Sequence, residues 1–155
     1  MVLKNIALTG GSGLLGRHLA FVLLKNNYRV IASSRKSIPF KNKNLIWKKI
    51  DFNKEFNQKI LDKNFSSVST IIHAGAYVPS KKNKTNFNYI KKCNVDSSIE
   101  IAKWATKRNI HFIYISGAIV YRNENRKNLE KSKILNYSNN AYRNSKIYSR
   151  NELIV

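Results

Sequence analysis

The residues with the plainest chemical use form the run Thr9-Gly-Gly-Ser-Gly-Leu-Leu-Gly16, which follows a short apolar segment and opens a helical one. Gly10, Gly13 and Gly16 recur at a spacing of three, and Gly11, Ser12, Gly13, Leu14, Leu15 and Gly16 also fit the G-x-G-x-x-G fingerprint of a dinucleotide-binding turn. Glycines permit the tight turn and let backbone approach a pyrophosphate, and the last one allows close packing of helix on strand. The helix N-terminus then offers unpaired N–H groups and a partial positive charge to the anion. About 20 residues beyond such a turn, an acidic side chain bonds the ribose 2′-hydroxyl of NAD. Ser34 and Arg35 stand there instead, followed by Lys36. A small residue beside a guanidinium leaves room and charge for a 2′-phosphate, so NADP is expected as the preferred cofactor, with NAD the alternative.

The elements that must position this turn alternate in kind. Val2–Leu8 reads as a buried strand, and Leu14–Asn26 as a helix with Leu15, Leu19, Val22 and Leu23 on one stripe. Tyr28–Ser34 and Asn44–Ile50 read as strands, Lys54–Lys63 as a short helix and Ser67–His73 as a fourth strand. Gly75–Asn88 reads as a loop, Tyr89–Arg108 as a helix and Ile110–Ile115 as a strand buried on both faces. Asn123–Asn140 is polar, and a last helix starts near Tyr142 and runs to the apolar Glu152–Val155, where no Gly or Pro stops it. Strands alternating with helices give an α/β fold: a Rossmann-type doubly wound parallel sheet with helices on both faces. One domain, residues 1–155, is expected.

Composition sets the outer limits. The chain has 155 residues, 43% of them hydrophobic, enough for a real core. No stretch approaches the ~20 apolar residues of a membrane span, and a single Cys93 with no Cys/His cluster offers neither a disulfide nor a metal site. A cytoplasmic setting is the expectation. The net charge of +21 admits two readings. It fits nucleic-acid binding, but the 21 Lys and 21 Asn also fit A/T-rich coding, and the basic residues are scattered, with no run longer than two. A nucleic-acid footprint clusters its bases, so no specific nucleic-acid partner and no membrane partner are expected.

Taken in order, the motifs resemble those of the extended short-chain dehydrogenase/reductase family, the NAD(P)-dependent sugar epimerases and dehydratases. The matching segments are Thr9–Gly16, Asp51-Phe52, His73-Ala-Gly-Ala76, Asn94-Val95, Tyr114–Tyr121 and Tyr142-Arg-Asn-Ser-Lys146. The resemblance implies that Asp51 accepts a bond from the adenine amino group, with the Phe52 backbone beside the ring. It implies that Ala74, Gly75 and Ala76 line the cofactor's ribose and phosphates, and that Asn94 is a structural polar residue near the nicotinamide half. Read without it, Asp51 is a turn residue and His73 a core histidine. Tyr142 is implied to be the acid/base that exchanges a proton with a substrate hydroxyl while hydride passes to or from nicotinamide. Lys146, one helical turn on, is implied to hold the cofactor ribose and to favour the phenolate from the same helix face. The substrate implied for the intact enzyme is a nucleotide-linked sugar, and the helices Tyr89–Arg108 and Tyr142–Leu153 are those through which such proteins often form homodimers.

Two features depart from the pattern. The family's catalytic Ser or Thr stands four residues before the tyrosine of the fifth-strand motif; here that position is Gly117, and Ser116 is one place early. On a strand, an offset of one turns a side chain to the opposite face. The chain also stops within the helix bearing Tyr142 and Lys146, so a substrate domain is expected to be missing and a sheet edge left open. Two functions follow: the cofactor-binding part of a nucleotide-sugar epimerase, dehydratase or reductase, or a non-catalytic, redox-responsive dinucleotide-binding protein on the same fold.

Overall fold

The structure, a computed structural model, describes residues 4–54, 56–79, 86–121, 132–134 and 136–153. The expected strand residues 2–3, much of the Gly75–Asn88 loop, most of the polar stretch Asn123–Asn140 and the last two residues lie outside them. The chain divides into two compact units, Met1–Ala76 with Glu100–Ile115, and Tyr77–Ile99 with Ser116–Val155.

The first unit holds a five-stranded parallel sheet: β1 (Asn5–Thr9), β2 (Arg29–Ser34), β3 (Leu45–Lys49), β4 (Thr70–His73) and β5 (His111–Tyr114), in the order β3-β2-β1-β4-β5. The alternation of a pleated strand assigns its two faces. Ala7 pairs with Ile31 on one side and Ile71 on the other, and these three meet Leu61 and Phe65 of α2 (Gln58–Phe65) and Ile101, Trp104 and Ala105 of α4 (Ser97–Lys107). Their neighbours Ile6, Leu8, Val30, Ala32 and Ile72 face the opposite way and bury Ala20 of α1 (Leu14–Lys25). Helices thus pack on both faces of the sheet, but β5, expected to be buried on both, is an edge strand whose His111 and Ile113 are exposed, because only β4 pairs with it.

The chain runs outward from β1 to β3 and then returns to place β4 on the other side of β1. Loops leaving the carboxyl ends of β1 and β4 therefore stand side by side where the strand order reverses, the place where ligands of such sheets bind. The glycine turn leaves β1 there, and His73–Ala76 leaves β4.

Trp104 anchors the α2–α4 layer. It is fully buried, its indole Nε1 donates to Asp62 Oδ1 at 2.9 Å, and the Arg108 guanidinium pairs with the same carboxylate while lying 5.3 Å over the indole ring. The second short helix begins at Gln58 rather than Lys54, because Asn57 caps it by accepting from Ile60 N–H at 3.2 Å. A cap fixes a helix start more firmly than helix propensity does.

In the second unit the long helix expected over Tyr89–Arg108 starts earlier and is not uniform. Asn86 caps α3 (Phe87–Lys91) by accepting from Tyr89 N–H, and Lys92–Asp96 forms a π turn before α4 begins. There Ser97 N–H reaches the Lys92 carbonyl, five residues back instead of four. Ala118–Val120 forms a 3₁₀ turn, and α5 spans Ala141–Leu153 with Asn140 Oδ1 accepting from Arg143 N–H at 3.0 Å. Ile90, Cys93, Val95, Val120 and Ile147 are buried. Among the described residues no helix is long and apolar enough to cross a membrane.

Removing the Trp104 side chain empties the α2–α4 layer and leaves Asp62 without its indole donor. Trp104→Ala is expected to cost about 3–5 kcal/mol, read as a lowered urea midpoint with the transition still cooperative.

Candidate functional site

The glycine turn is built by close approach. Gly10 has φ +71°, in the left-handed region, and a Cβ placed on it would lie 2.7 Å from the Gly75 Cα and 2.8 Å from the Ala74 carbonyl carbon. A Cβ on Gly16 would lie 2.1 Å from the Gly10 carbonyl oxygen, so no other residue fits where α1 leaves the turn. Gly13 N–H donates to that same carbonyl at 2.9 Å, and Gly11 N–H donates to the Ser33 carbonyl at 3.0 Å, tying the turn to β2. Gly13 is the N-cap of α1 with no side chain bonded to the free N–H groups, and the first turn of α1 has no acidic residue. An anion meets open donors there. Gly13, Leu14 and Leu15 are exposed, Ser12 is half-buried, and Gly11 and Gly16 are buried. These residues fit a dinucleotide pyrophosphate.

The turn's partner is the segment after β4. Thr9 Oγ1 accepts from Gly75 N–H at 3.1 Å and shares a 2.6 Å hydrogen bond with His73 Nδ1. His73 is fully buried, its ring met edge-on by Phe52 at 5.5 Å and stacked on Tyr114 at 5.9 Å. A Cβ on Gly75 would fall 2.7 Å from the Phe52 ring, so Gly10, Ala74, Gly75 and Phe52 are gathered at one place, with Ala76 half-buried beyond them. Asp51 closes its own turn: its Oδ1 accepts from Asn53 N–H at 3.1 Å and its carbonyl from Lys54 N–H at 3.1 Å. At the end of β2 the Ser34 hydroxyl donates to the Lys36 carbonyl and accepts from Trp47 Nε1 at 3.3 Å, and Arg35 is exposed.

In the second unit, α5 carries Tyr142 and Lys146. Lys146 is 4% exposed, and burial lowers its amine to about 8. Burial also pushes the half-buried Tyr142 phenol up from its ordinary value. The spacing predicts the reverse for the phenol. The reason for the difference is desolvation, which opposes the charged form of both side chains, so their i,i+4 placement alone does not prepare a phenolate.

Asn94 lies in the π turn. Its Oδ1 accepts from Tyr77 N–H at 2.6 Å, and its Nδ2 donates to the Tyr77 carbonyl at 3.0 Å and to Ser145 Oγ at 2.9 Å. Ser116 is exposed. Gly117 precedes the 3₁₀ turn in extended conformation, φ −152°, where a Cβ would meet nothing nearer than Ile119 at 3.6 Å. Glycine is therefore not required at that position by space or by backbone.

Sequence reasoning named Thr9 and His73 within motifs but gave neither a part in the site, and it passed over the serines at 145 and 149. Thr9 and His73 stand at the carboxyl ends of the two strands flanking the crevice, which is a legible signal once the strand order is known. Serines four apart on a helix carry no comparable signal.

The NAD dependent epimerase/dehydratase family matches the chain over residues 6–154. A candidate UDP-glucose 4-epimerase of Methanocaldococcus jannaschii is 34% identical over 125 residues, covering 77% of this chain and 40% of that protein. UDP-glucose 4-epimerase uge1 of Schizosaccharomyces pombe is 29% identical over 128 residues, covering 76% of this chain and 36% of that protein. This chain thus spans well under half the length of these relatives. The fold of the Bordetella bronchiseptica enzyme WbmG, solved in complex with NAD and UDP, superposes with a TM-score of 0.80 at 20% identity, over 99% of this chain and 50% of that one.

Burying Lys146 has a pH signature. Its folded value of about 8 lies below the ordinary 10.5, so between these values the unfolded chain binds more protons and stability rises with pH. Below pH 8 folding carries the whole cost of a buried ammonium, roughly 3 kcal/mol at about 1.4 kcal/mol per pH unit. Lys146→Met is therefore expected to be the more stable protein at pH 7 and to lose most of that advantage by pH 10, measured as paired urea denaturation curves.

Proposed function

Because the chain belongs to the NAD dependent epimerase/dehydratase family, we propose that it is the cofactor-binding part of an enzyme that oxidises or reduces a carbinol of a nucleotide-linked sugar. The observation that carries this reading is the uncapped, acid-free start of α1 behind a turn in which Gly10 and Gly16 admit no side chain. Thr9–Gly16 would hold the pyrophosphate, Ala74–Ala76 the adjoining ribose and phosphates, and Asp51 and Phe52 the adenine. A bound nicotinamide supplies a reversible hydride acceptor. Tyr142 moves the proton: its phenolic oxygen takes it from the substrate hydroxyl on oxidation and returns it on reduction. Lys146, which a bound ribose would engage, keeps a positive charge near neutral pH and supports the phenolate in that step.

The preference for NADP rests on Arg35 and Lys36 at the end of β2, where no acid is present to bond a ribose 2′-hydroxyl. Gly117 supports a second reading, a non-catalytic dinucleotide-binding protein, since the positioned hydroxyl the reaction uses is absent from it.

Calorimetric titration with NADP+ and NAD+ side by side tests the cofactor reading. Saturable binding with NADP+ preferred is expected, and Arg35→Asp should reverse the order; equal affinities would refute the role of Arg35, and no binding of either would refute the reading itself. Space at position 117 admits a side chain, so Gly117→Ser in the full-length protein is expected to raise turnover of a nucleotide sugar by 10-fold or more. No gain with any sugar nucleotide would favour the second reading.

A further inference from the structure

The helix that carries Tyr142 and Lys146 is fastened by two serines that the reaction itself does not use. At ~100° per residue, positions 142, 145, 146 and 149 of α5 fall within an arc of about 100°, so Ser145 and Ser149 share the face of the reacting pair. Both are fully buried. Ser149 Oγ directs its proton between the Ser145 carbonyl at 2.8 Å and the Asn94 carbonyl at 2.9 Å. Ser145 Oγ donates to the Tyr142 carbonyl at 2.7 Å and accepts from Asn94 Nδ2 at 2.9 Å. One residue, Asn94, thus grips α5 twice, once through its peptide and once through its side chain.

The π turn makes this grip possible. A regular helix takes Ser97 N–H to the Cys93 carbonyl; here it goes to Lys92, and the Cys93 carbonyl accepts from the Ser97 hydroxyl at 2.7 Å. The neighbouring Asn94 carbonyl accepts from two hydroxyls, Ser98 on its own helix and Ser149 on α5. Buried carbonyls in a widened turn need such donors, and α5 supplies one of them.

We propose that Ser149 and Ser145 are positioning residues, which through Asn94 fix the axial place and rotation of α5 and with them the place of the Lys146 amine. The inference rests on the reading of α5 as the helix of the reacting pair. Its effect is on where the amine sits, since a helix held at two points one turn apart can neither slide nor roll. Released from Asn94, α5 gives Lys146 access to water.

The test is an NMR titration of the Lys146 side chain in the 155-residue chain, its signal assigned by its loss in Lys146→Met. The wild-type midpoint is expected near 8. Ser149→Ala should raise it by at least one pH unit, whereas Ser98→Ala, which strips the other hydroxyl from the same carbonyl and keeps both serines of α5, should leave it in place. A folded Ser149→Ala protein with the wild-type midpoint, even one of lower melting temperature, overturns the inference and leaves the reading of α5 standing. A wild-type midpoint near the ordinary lysine value overturns both. Should Ser149→Ala not fold, Ser145→Ala is read by the same criterion.

Discussion

Everything at the cofactor end of the sheet depends on how closely two loops approach. The turn after β1 and the segment after β4 meet backbone to backbone, with Gly10 against Gly75, and a methyl group at either position would have to displace main chain or the Phe52 ring. The Thr9 hydroxyl, buried between Gly75 N–H and His73, holds that approach together. Sheet topology brings the two loops to the same crevice, and the missing side chains let them close it. Without the approach the α1 N-terminus would still present free N–H groups, but with no wall opposite it.

The second unit solves a different problem. It buries a lysine amine and half-buries a tyrosine phenol, which disfavours the charged form of each. Serine and asparagine side chains, rather than charges, do most of the fastening around them: Asn94, Ser97, Ser98, Ser145 and Ser149 bond mainly to carbonyls and to one another. Neutral donors can satisfy buried carbonyls without adding a second buried charge. Burial lowers the amine to about 8, and the neutral groups around it add no charge of their own.

Much of this was legible in the residues. The apolar runs and their spacing foretell the parallel doubly wound sheet, because a strand buried on both faces shows an unbroken apolar run, as Val30-Ile31-Ala32 does within β2. Motif order pointed to the family. Less legible were features decided by single hydrogen bonds. Asn57 moved the start of α2, and the π turn at Lys92–Asp96 is hidden because no residue type marks one extra residue in a turn. The i,i+4 spacing of Tyr142 and Lys146 gives their common face but not their burial, and it is burial that sets the direction in which the phenol shifts. His73 reads as a core residue, which it is, yet the same ring orders the loop that follows β4.

The two tryptophans also divide the molecule optically. Trp104 is wholly enclosed beside a carboxylate and a guanidinium, far along α4, so its emission reports whether the α2–α4 layer is assembled. Trp47 is half-buried on β3, with its indole N–H on the Ser34 hydroxyl at the tip of β2. Its emission is tied to the same hydroxyl that sits beside Arg35. In a Trp104→Phe background Trp47 is the single tryptophan, and its emission reports on the end of β2, where the proposed dinucleotide would place its ribose.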